Sequence, residues 1–115
     1  MTEPIKVVEA FYAAARTGDL SEAPFAADLQ YEGPLMHELR GGDNVRRFLG
    51  GYLVPVRELK IVRHIADQDH VVTELAVKSA FADFPMVFMA RVEEGLIVDL
   101  RAFYDPRPFV EGMGK

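Results

Sequence analysis

The sequence predicts an α+β fold in which a curved antiparallel sheet wraps a long N-terminal helix. Two observations carry this. Three helical stretches fall before residue 50, and from Glu58 to Tyr104 apolar residues follow the two-residue period of strands. Helices first and strands afterwards is the α+β order, whereas regular alternation would have pointed to a parallel α/β sheet.

Helical spacing of Ile5, Val8, Tyr12 and Ala15, flanked by Val7 and Phe11, predicts a helix over 4–16 that starts at Thr2-Glu3-Pro4. Thr17-Gly18-Asp19 ends it, with Gly18 in the left-handed position and Asp19 free to cap the next segment. A short helix is expected over 20–27, with Pro24 in its first turns. A first strand over 28–32 puts Leu29 and Tyr31 on one face and is broken by Gly33-Pro34. Arg40-Gly41-Gly42-Asp43-Asn44 leads into a helix over 45–49, capped by Asp43 or Gly42 and stopped by Gly50-Gly51. Its glycines match no phosphate-binding fingerprint, so it reads as a capped turn.

The rest is a meander. A turn at Gln68-Asp69 sets Arg63 opposite Glu74, His64 opposite Thr73 and Val62 opposite Leu75. A turn at Ala82-Asp83 sets Val77 opposite Phe88, Leu75 opposite Ala90 and Glu74 opposite Arg91. Glu93-Glu94-Gly95 suits a three-residue loop closed by a bulge, with Gly95 at positive φ. That loop sets Val92 opposite Leu96, Ala90 opposite Val98, Phe88 opposite Leu100 and Met86 opposite Ala102. The inner face then carries Val62, His64, Thr73, Leu75, Val77, Met86, Phe88, Ala90, Val92, Val98, Leu100, Ala102 and Tyr104. The outer face carries an Arg63–Glu74–Arg91 ladder of alternating charge. From Pro106 the tail reads as a loosely held terminus. So apolar an inner face is too large for one helix to cover, which predicts a concave pocket between helix and sheet.

Composition limits the function. The 115 residues fit one domain, long enough to bury roughly 65% of the open chain's surface. Half the residues are hydrophobic and 27% are charged, as in globular proteins. The absence of cysteine excludes disulfides, thiolate catalysis and Cys-based zinc sites. Met-Thr-Glu-Pro lacks the basic and apolar residues of a signal peptide, and no apolar run approaches membrane length, so a cytoplasmic protein without a membrane partner is expected. A net charge of −5, with 13 basic residues scattered among 18 acids, argues against nucleic acid.

Several motifs, in this order and spacing, resemble the nuclear-transport-factor-like superfamily. They are Val7-Val8-Glu9-Ala10-Phe11-Tyr12, Thr17-Gly18-Asp19-Leu20, Tyr31-Glu32-Gly33-Pro34, Arg40-Gly41-Gly42-Asp43, and Gly95-Leu96-Ile97-Val98 leading to Phe103-Tyr104-Asp105. Within it the chain looks most like the SnoaL-like branch, close to ketosteroid isomerase and limonene epoxide hydrolase. The resemblance runs from about Pro4 to Phe109, which would make residues 1–115 one SnoaL-like domain. It implies a cone-shaped, cystatin-like α+β barrel with an apolar cavity, dimeric through its outer sheet face. The family's catalytic residues carry over poorly. Gly33 stands where ketosteroid isomerases have their general-base Asp, Phe11 at their oxyanion-hole Tyr, and Phe88 at their protonated Asp. Leu75, Val77 and Ala102 stand at the Arg and two Asp positions of limonene epoxide hydrolases, and only their water-holding Tyr is kept, as Tyr31.

Candidate chemistry therefore rests on what remains. His64 can relay a proton near neutral pH, against the plainer reading of a histidine satisfied by Thr73. Tyr31 and Tyr104 can orient a carbonyl or hydroxyl, or simply fill the core with their hydroxyls at its rim. His37 and Glu38 sit in the loop expected over the cavity mouth, and Glu32 lies beside Tyr31. His37, His64 and His70 lack metal-ligand spacing, so no metal and no cofactor is expected. Ser21 and Ser79 lack a nucleophile elbow. The expected catalytic set is His64, Tyr31 and Tyr104. The expected ligand-binding set is Phe11, Tyr12, Val62, Thr73, Leu75, Val77, Met86, Phe88, Leu100 and Ala102. They would take a small apolar molecule, either as an isomerase, cyclase or hydratase for a steroid-, terpenoid- or polyketide-like substrate, or as a non-catalytic binding or dimerising scaffold. The expected homodimer interface is the outer sheet face, with Val87, Met89, Arg91 and Arg101.

Overall fold

Pro4 opens the first helix, where its missing N–H costs nothing, and Gly18 at φ 81° closes it by donating to the Ala15 carbonyl. In the computed structural model, which describes residues 3–113, this helix is α1, Pro4–Thr17. Thr2, expected at its start, lies outside the described residues; Glu3 precedes Pro4 and makes no side-chain cap. After α1 come β1 (Phe25–Gly33), β2 (Met36–Arg40), α2 (Gly42–Leu53), β3 (Val56–Asp67), β4 (His70–Ser79), β5 (Asp83–Glu93), β6 (Leu96–Phe103) and α3 (Arg107–Met113). The strands form one curved, open sheet in the order β2-β1-β6-β5-β4-β3. All neighbours are antiparallel except β1 and β6. Val7, Val8, Phe11, Tyr12 and Ala15 bury one face of α1 against its concave side. No helix among the described residues is long and apolar enough to cross a membrane.

Four local expectations give way. Residues 20–27 do not form a helix: Asp19 Oδ1 accepts from the Ser21 amide at 2.9 Å, Leu20 to Ala23 make one turn, and β1 already starts at Phe25. Pro24 disfavours helical geometry at Ala23, which limits the segment to that turn. α2 runs through Gly50-Gly51 to Leu53, because neither glycine takes positive φ and Tyr52 and Leu53 pack inward. Residues 36–40, read as loop, pair with β1 as the edge strand β2. The tail after Pro106 forms α3, with the Phe81 ring over Gly112 where a β-carbon would have no room.

The hairpin registers also shift. Glu94 (φ 51°) and Gly95 (φ 79°) make a two-residue turn with both central residues at positive φ, whose twist matches the strands it joins. Phe88 therefore faces Ala102 and Ala90 faces Leu100, while a bulge at Val98 turns Ile97 into the core beside Val92. The β4–β5 connection is residues 80–82, held by the Ser79 hydroxyl at the end of β4, which donates to the Ala82 carbonyl (2.7 Å) and accepts from the Ala82 amide (3.1 Å). Val77 consequently faces Phe84, Leu75 faces Met86 and Thr73 faces Phe88. A bulge in β3 keeps His64 opposite Thr73 but sets Ile61, not Val62, opposite Leu75. The outer ladder survives only in its first rung, Arg63 to Glu74 at 3.0 Å. Arg91 lies between His70 and Asp99 and pairs with Glu93.

Candidate ligand pocket

The concave face and its two covering helices enclose a cavity of about 60 Å³. α1 contributes Phe11, Tyr12 and Ala15, and α2 contributes Phe48, Leu49, Tyr52 and Leu53. Leu20, Tyr31 of β1, Val56 and Leu59 of β3, Leu75 and Val77 of β4, and Phe84, Met86 and Phe88 of β5 complete the wall with Tyr104, just past β6. Every described lining residue is uncharged, and among them only the four tyrosines carry a polar side-chain group.

The aromatic rings are wedged together. Phe11 meets Phe88 edge-on at 5.5 Å between centroids and Phe25 at 5.3 Å. Phe48 lies between Tyr31 (5.5 Å) and Tyr52 (4.9 Å), and Tyr104 packs on Phe84 at 5.9 Å on the other wall. Gly33 permits the pose of Tyr31, since a β-carbon at residue 33 would sit 2.6 Å from its hydroxyl oxygen. Burial pushes the Tyr31 hydroxyl well above the ordinary tyrosine range, and nearby Tyr104 and Tyr52 push it further. The same causes, burial first and then Tyr52, push Tyr104 up to about 12. Burial also raises Tyr12, partly offset by a hydrogen bond with Thr73. At neutral pH Tyr12, Tyr31 and Tyr104 are thus neutral hydroxyls, able to donate and accept hydrogen bonds but not to supply a charge.

Eight expected residues line this cavity: Phe11, Tyr12, Tyr31, Leu75, Val77, Met86, Phe88 and Tyr104. Leu100 and Ala102 are buried in the core without reaching it. Val62 is a correction: at the β3 bulge it faces outward, 42% exposed. His64 and Thr73 are a second correction, since they form a separate polar pair outside the cavity, Nδ1 to Oγ1 at 2.8 Å. Thr73 is fully buried, and the His64 ring stacks on Tyr12 at 6.1 Å and 25°. His64 Nε2 is buried and makes no hydrogen bond with the described residues. His37 and Glu38 are exposed on β2 and line an outer groove with Gln30, Glu32, Asp99, Arg101 and the cavity residue Tyr31, but neither lines the cavity itself. The α2 contribution was missed because Gly50-Gly51 reads as a helix stop. The spacing of Phe48, Leu49, Tyr52 and Leu53 was the available signal that the helix continues.

Solved structures share this fold. The chain is similar to an LEH-like epoxide hydrolase of M. tuberculosis, at 29% identity and a TM-score of 0.74 over 95% of this chain and 87% of that one. It is similar to a steroid delta-isomerase from Pseudomonas aeruginosa, at 22% identity and 0.81 over 96% and 88%. It is also similar to an NTF2-like protein of unknown function from Cytophaga hutchinsonii, at 16% identity and 0.79 over 96% of both chains. No protein of curated function matches the sequence. The family of SnoaL-like domains matches residues 8–100, most of the chain and every element that walls the cavity except the Tyr104 end, and this protein belongs to that family.

Proposed function

We propose that this SnoaL-like domain binds an uncharged, apolar small molecule of steroid, terpenoid or polyketide character between α1, α2 and the sheet. The observation that carries the reading is the lining, built from apolar residues and four tyrosines with no charged residue among them. Apolar area supplies affinity in such a site and a few hydroxyls fix orientation. The geometry favours binding over acid–base chemistry. No carboxylate or imidazole is among the lining residues, and the expected base, His64, bonds Thr73 outside the cavity. Catalysis of the isomerase, cyclase or hydratase kind is the second reading, favoured by the 29% likeness to an epoxide hydrolase. It would have Tyr31 and Tyr104 polarise a substrate oxygen.

The assay is binding and turnover against paired neutral and carboxylated steroids, terpenoids and polyketide-like aromatics. The binding reading expects the neutral members to bind, Tyr31→Phe to weaken them and His64→Ala to leave them unchanged. Failure of every neutral compound sinks it, and turnover abolished by Tyr31→Phe establishes the second reading in its place.

The same proposal includes a homodimer through the outer sheet face. There Ile65, Val72 and Met89 stand side by side on β3, β4 and β5, with Val87 and Phe103 paired alongside. Ile65 and Phe103 are 60% and 50% exposed in a single chain. Arg63, Glu74, Arg91 and Arg101 rim this stripe, the composition of an interface that buries about 1,200–2,000 Å². Light scattering should give a dimer that Met89→Lys converts to a monomer; a monomeric wild type at micromolar concentration refutes it.

A further inference from the structure

We propose that the cavity is entered between the end of α1 and the start of β3, where Arg16 and Arg57 receive a carboxylate on a ligand whose uncharged body lies inside. This rests on the reading of the cavity as a site for an apolar body and adds an acidic end that stays outside it.

The cavity holds about 60 Å³, well under the roughly 150 Å³ of an apolar cavity that takes benzene. A ligand of one ring or more therefore extends beyond it, and the lining says where. Ala15, Leu53, Val56 and Leu59 line both the cavity and a surface groove of about 370 Å³ that continues over Arg16, Thr17, Gly18, Arg57 and Glu58. The grooves at Tyr31, Leu20 and Tyr104 each share only that one residue with the cavity. Leu53, Val56 and Leu59 are half-buried, so this stretch of wall also faces solvent.

The groove is cationic where the cavity is apolar. The Arg16 Nε donates to the carbonyl of Leu59 at 3.1 Å, which fixes the guanidinium at the rim, and its terminal amino groups make no hydrogen bond with the described residues. Arg57 is exposed and has no ion-pair partner among the described residues. Glu58, the one acid among the groove's described residues, pairs with Lys78 at 3.6 Å. Near the end of α1 the Ala14 carbonyl accepts from the Thr17 hydroxyl (2.7 Å) and the Ala15 carbonyl from the Gly18 amide (3.0 Å). The helix end then opposes two full positive charges with only a partial negative one. A carboxylate in this groove keeps water on one side and gains two cations. Inside the cavity it would be buried with no cation to pair it, at a large desolvation cost.

Geraniol, geranic acid and geranylamine share one apolar chain and differ in the charge at its end. Titrated by ligand-observed NMR near neutral pH, the alcohol reports the cavity and the acid-to-alcohol affinity ratio reports the arginines. Two exposed ion pairs should make the acid bind about twofold to tenfold tighter than the alcohol, and the amine should bind more weakly than either. Arg16→Gln and Arg57→Gln should each lower the ratio by about twofold and leave the alcohol unchanged, and Arg57→Glu should move the preference toward the amine. The ratio should also shrink between about 0.01 M and about 1 M salt, because both side chains are exposed. Acid binding that both glutamine substitutions leave unaltered overturns the proposal, as does an acid that binds no tighter than the alcohol; in either case alcohol binding keeps the cavity reading intact. Loss of alcohol binding in Arg57→Gln also overturns it, because Arg57 would then shape the cavity instead of pairing the acid. If the wild type binds neither compound the proposal falls, and the steroids and aromatics of the cavity assay decide the cavity reading separately.

Discussion

Replacing both Gly50 and Gly51 by alanine should stabilise the protein, and the sign of the effect decides between two conformations of this stretch. If the glycines ended a helix in the left-handed region, alanine would be strained there and stability would fall. In the structure both are inside α2 with negative φ, and an added β-carbon at either meets nothing within 4 Å. No clash offsets the gain in helix propensity, which is about 0.8–1.0 kcal/mol per Gly→Ala in a helix interior. Two sites near a helix end give about 1–2 kcal/mol together. With an unfolding entropy of about 2.1 cal/mol/K per residue, that raises the melting temperature by about 4–8 °C. Urea and thermal unfolding of the double variant measure it. An unchanged or lowered midpoint refutes the continuous helix, and with it the placement of Tyr52 and Leu53 on the cavity wall.

Phe88 is buried against Phe11 and Tyr12, so Phe88→Ala should cost about 3–5 kcal/mol, whereas Arg91→Ala, in a surface pair with Glu93, should cost about 0–1 kcal/mol. Equal large losses in denaturant titrations would show the hairpin shifted by one residue. Arg46→Met removes the guanidinium from the Phe25 ring and from the Leu20 and Ala23 carbonyls, which keep their backbone donors Ala23 and Phe25, for a loss of about 1.5–3 kcal/mol; no loss would mean that the guanidinium does not fasten α2 to the turn before β1. Stability should also fall at alkaline pH. Tyr12, Tyr31 and Tyr104 hold their protons more tightly when folded, so their contribution is complete below the unfolded tyrosine value of about 10 and is lost as pH rises beyond it. Urea midpoints from pH 9 to 11.5 should decline less steeply in Tyr31→Phe than in the wild type, and identical slopes would refute the role of Tyr31.

The faces of the sheet were legible in the sequence even where the turns were misread. Moving Phe88 from opposite Leu100 to opposite Ala102, or from opposite Val77 to opposite Thr73, shifts the partner by an even number of residues. Strand parity is then kept and Phe88 still points inward. Parity fails at bulges, which insert a single residue, and the two wrong inner-face assignments, Val62 and Val98, each lie at a bulge, one in β3 and one in β6. Each bulge lies in an unbroken apolar pair, Ile61-Val62 or Ile97-Val98, where alternation does not say which residue turns in. The short edge strand β2 was missed for a related reason: five residues with only Met36 and Leu39 half-buried give little periodicity to read.

The candidate site was less legible than the fold because its wall is assembled from residues distant in sequence. The alternation of β4 and β5 located Leu75, Val77, Met86 and Phe88 by face alone. It could not tell which inner-face residues α1 covers and which α2 leaves around a cavity. His64, Thr73 and Ala102 stand in one row of the sheet with Phe88, and Tyr12 of α1 packs on both Phe88 and His64. Toward the other end of the sheet, Leu59, Val77 and Phe84 form another row that lines the cavity together with Tyr52 and Leu53 of the last turn of α2. The continued helix turn therefore adds Tyr52 and Leu53 to the wall, while His64 stays with Thr73 and Tyr12 outside it. A histidine in the wall would have offered a base titrating near neutral pH, whereas Tyr12, Tyr31 and Tyr104, neutral there, add no charge to it.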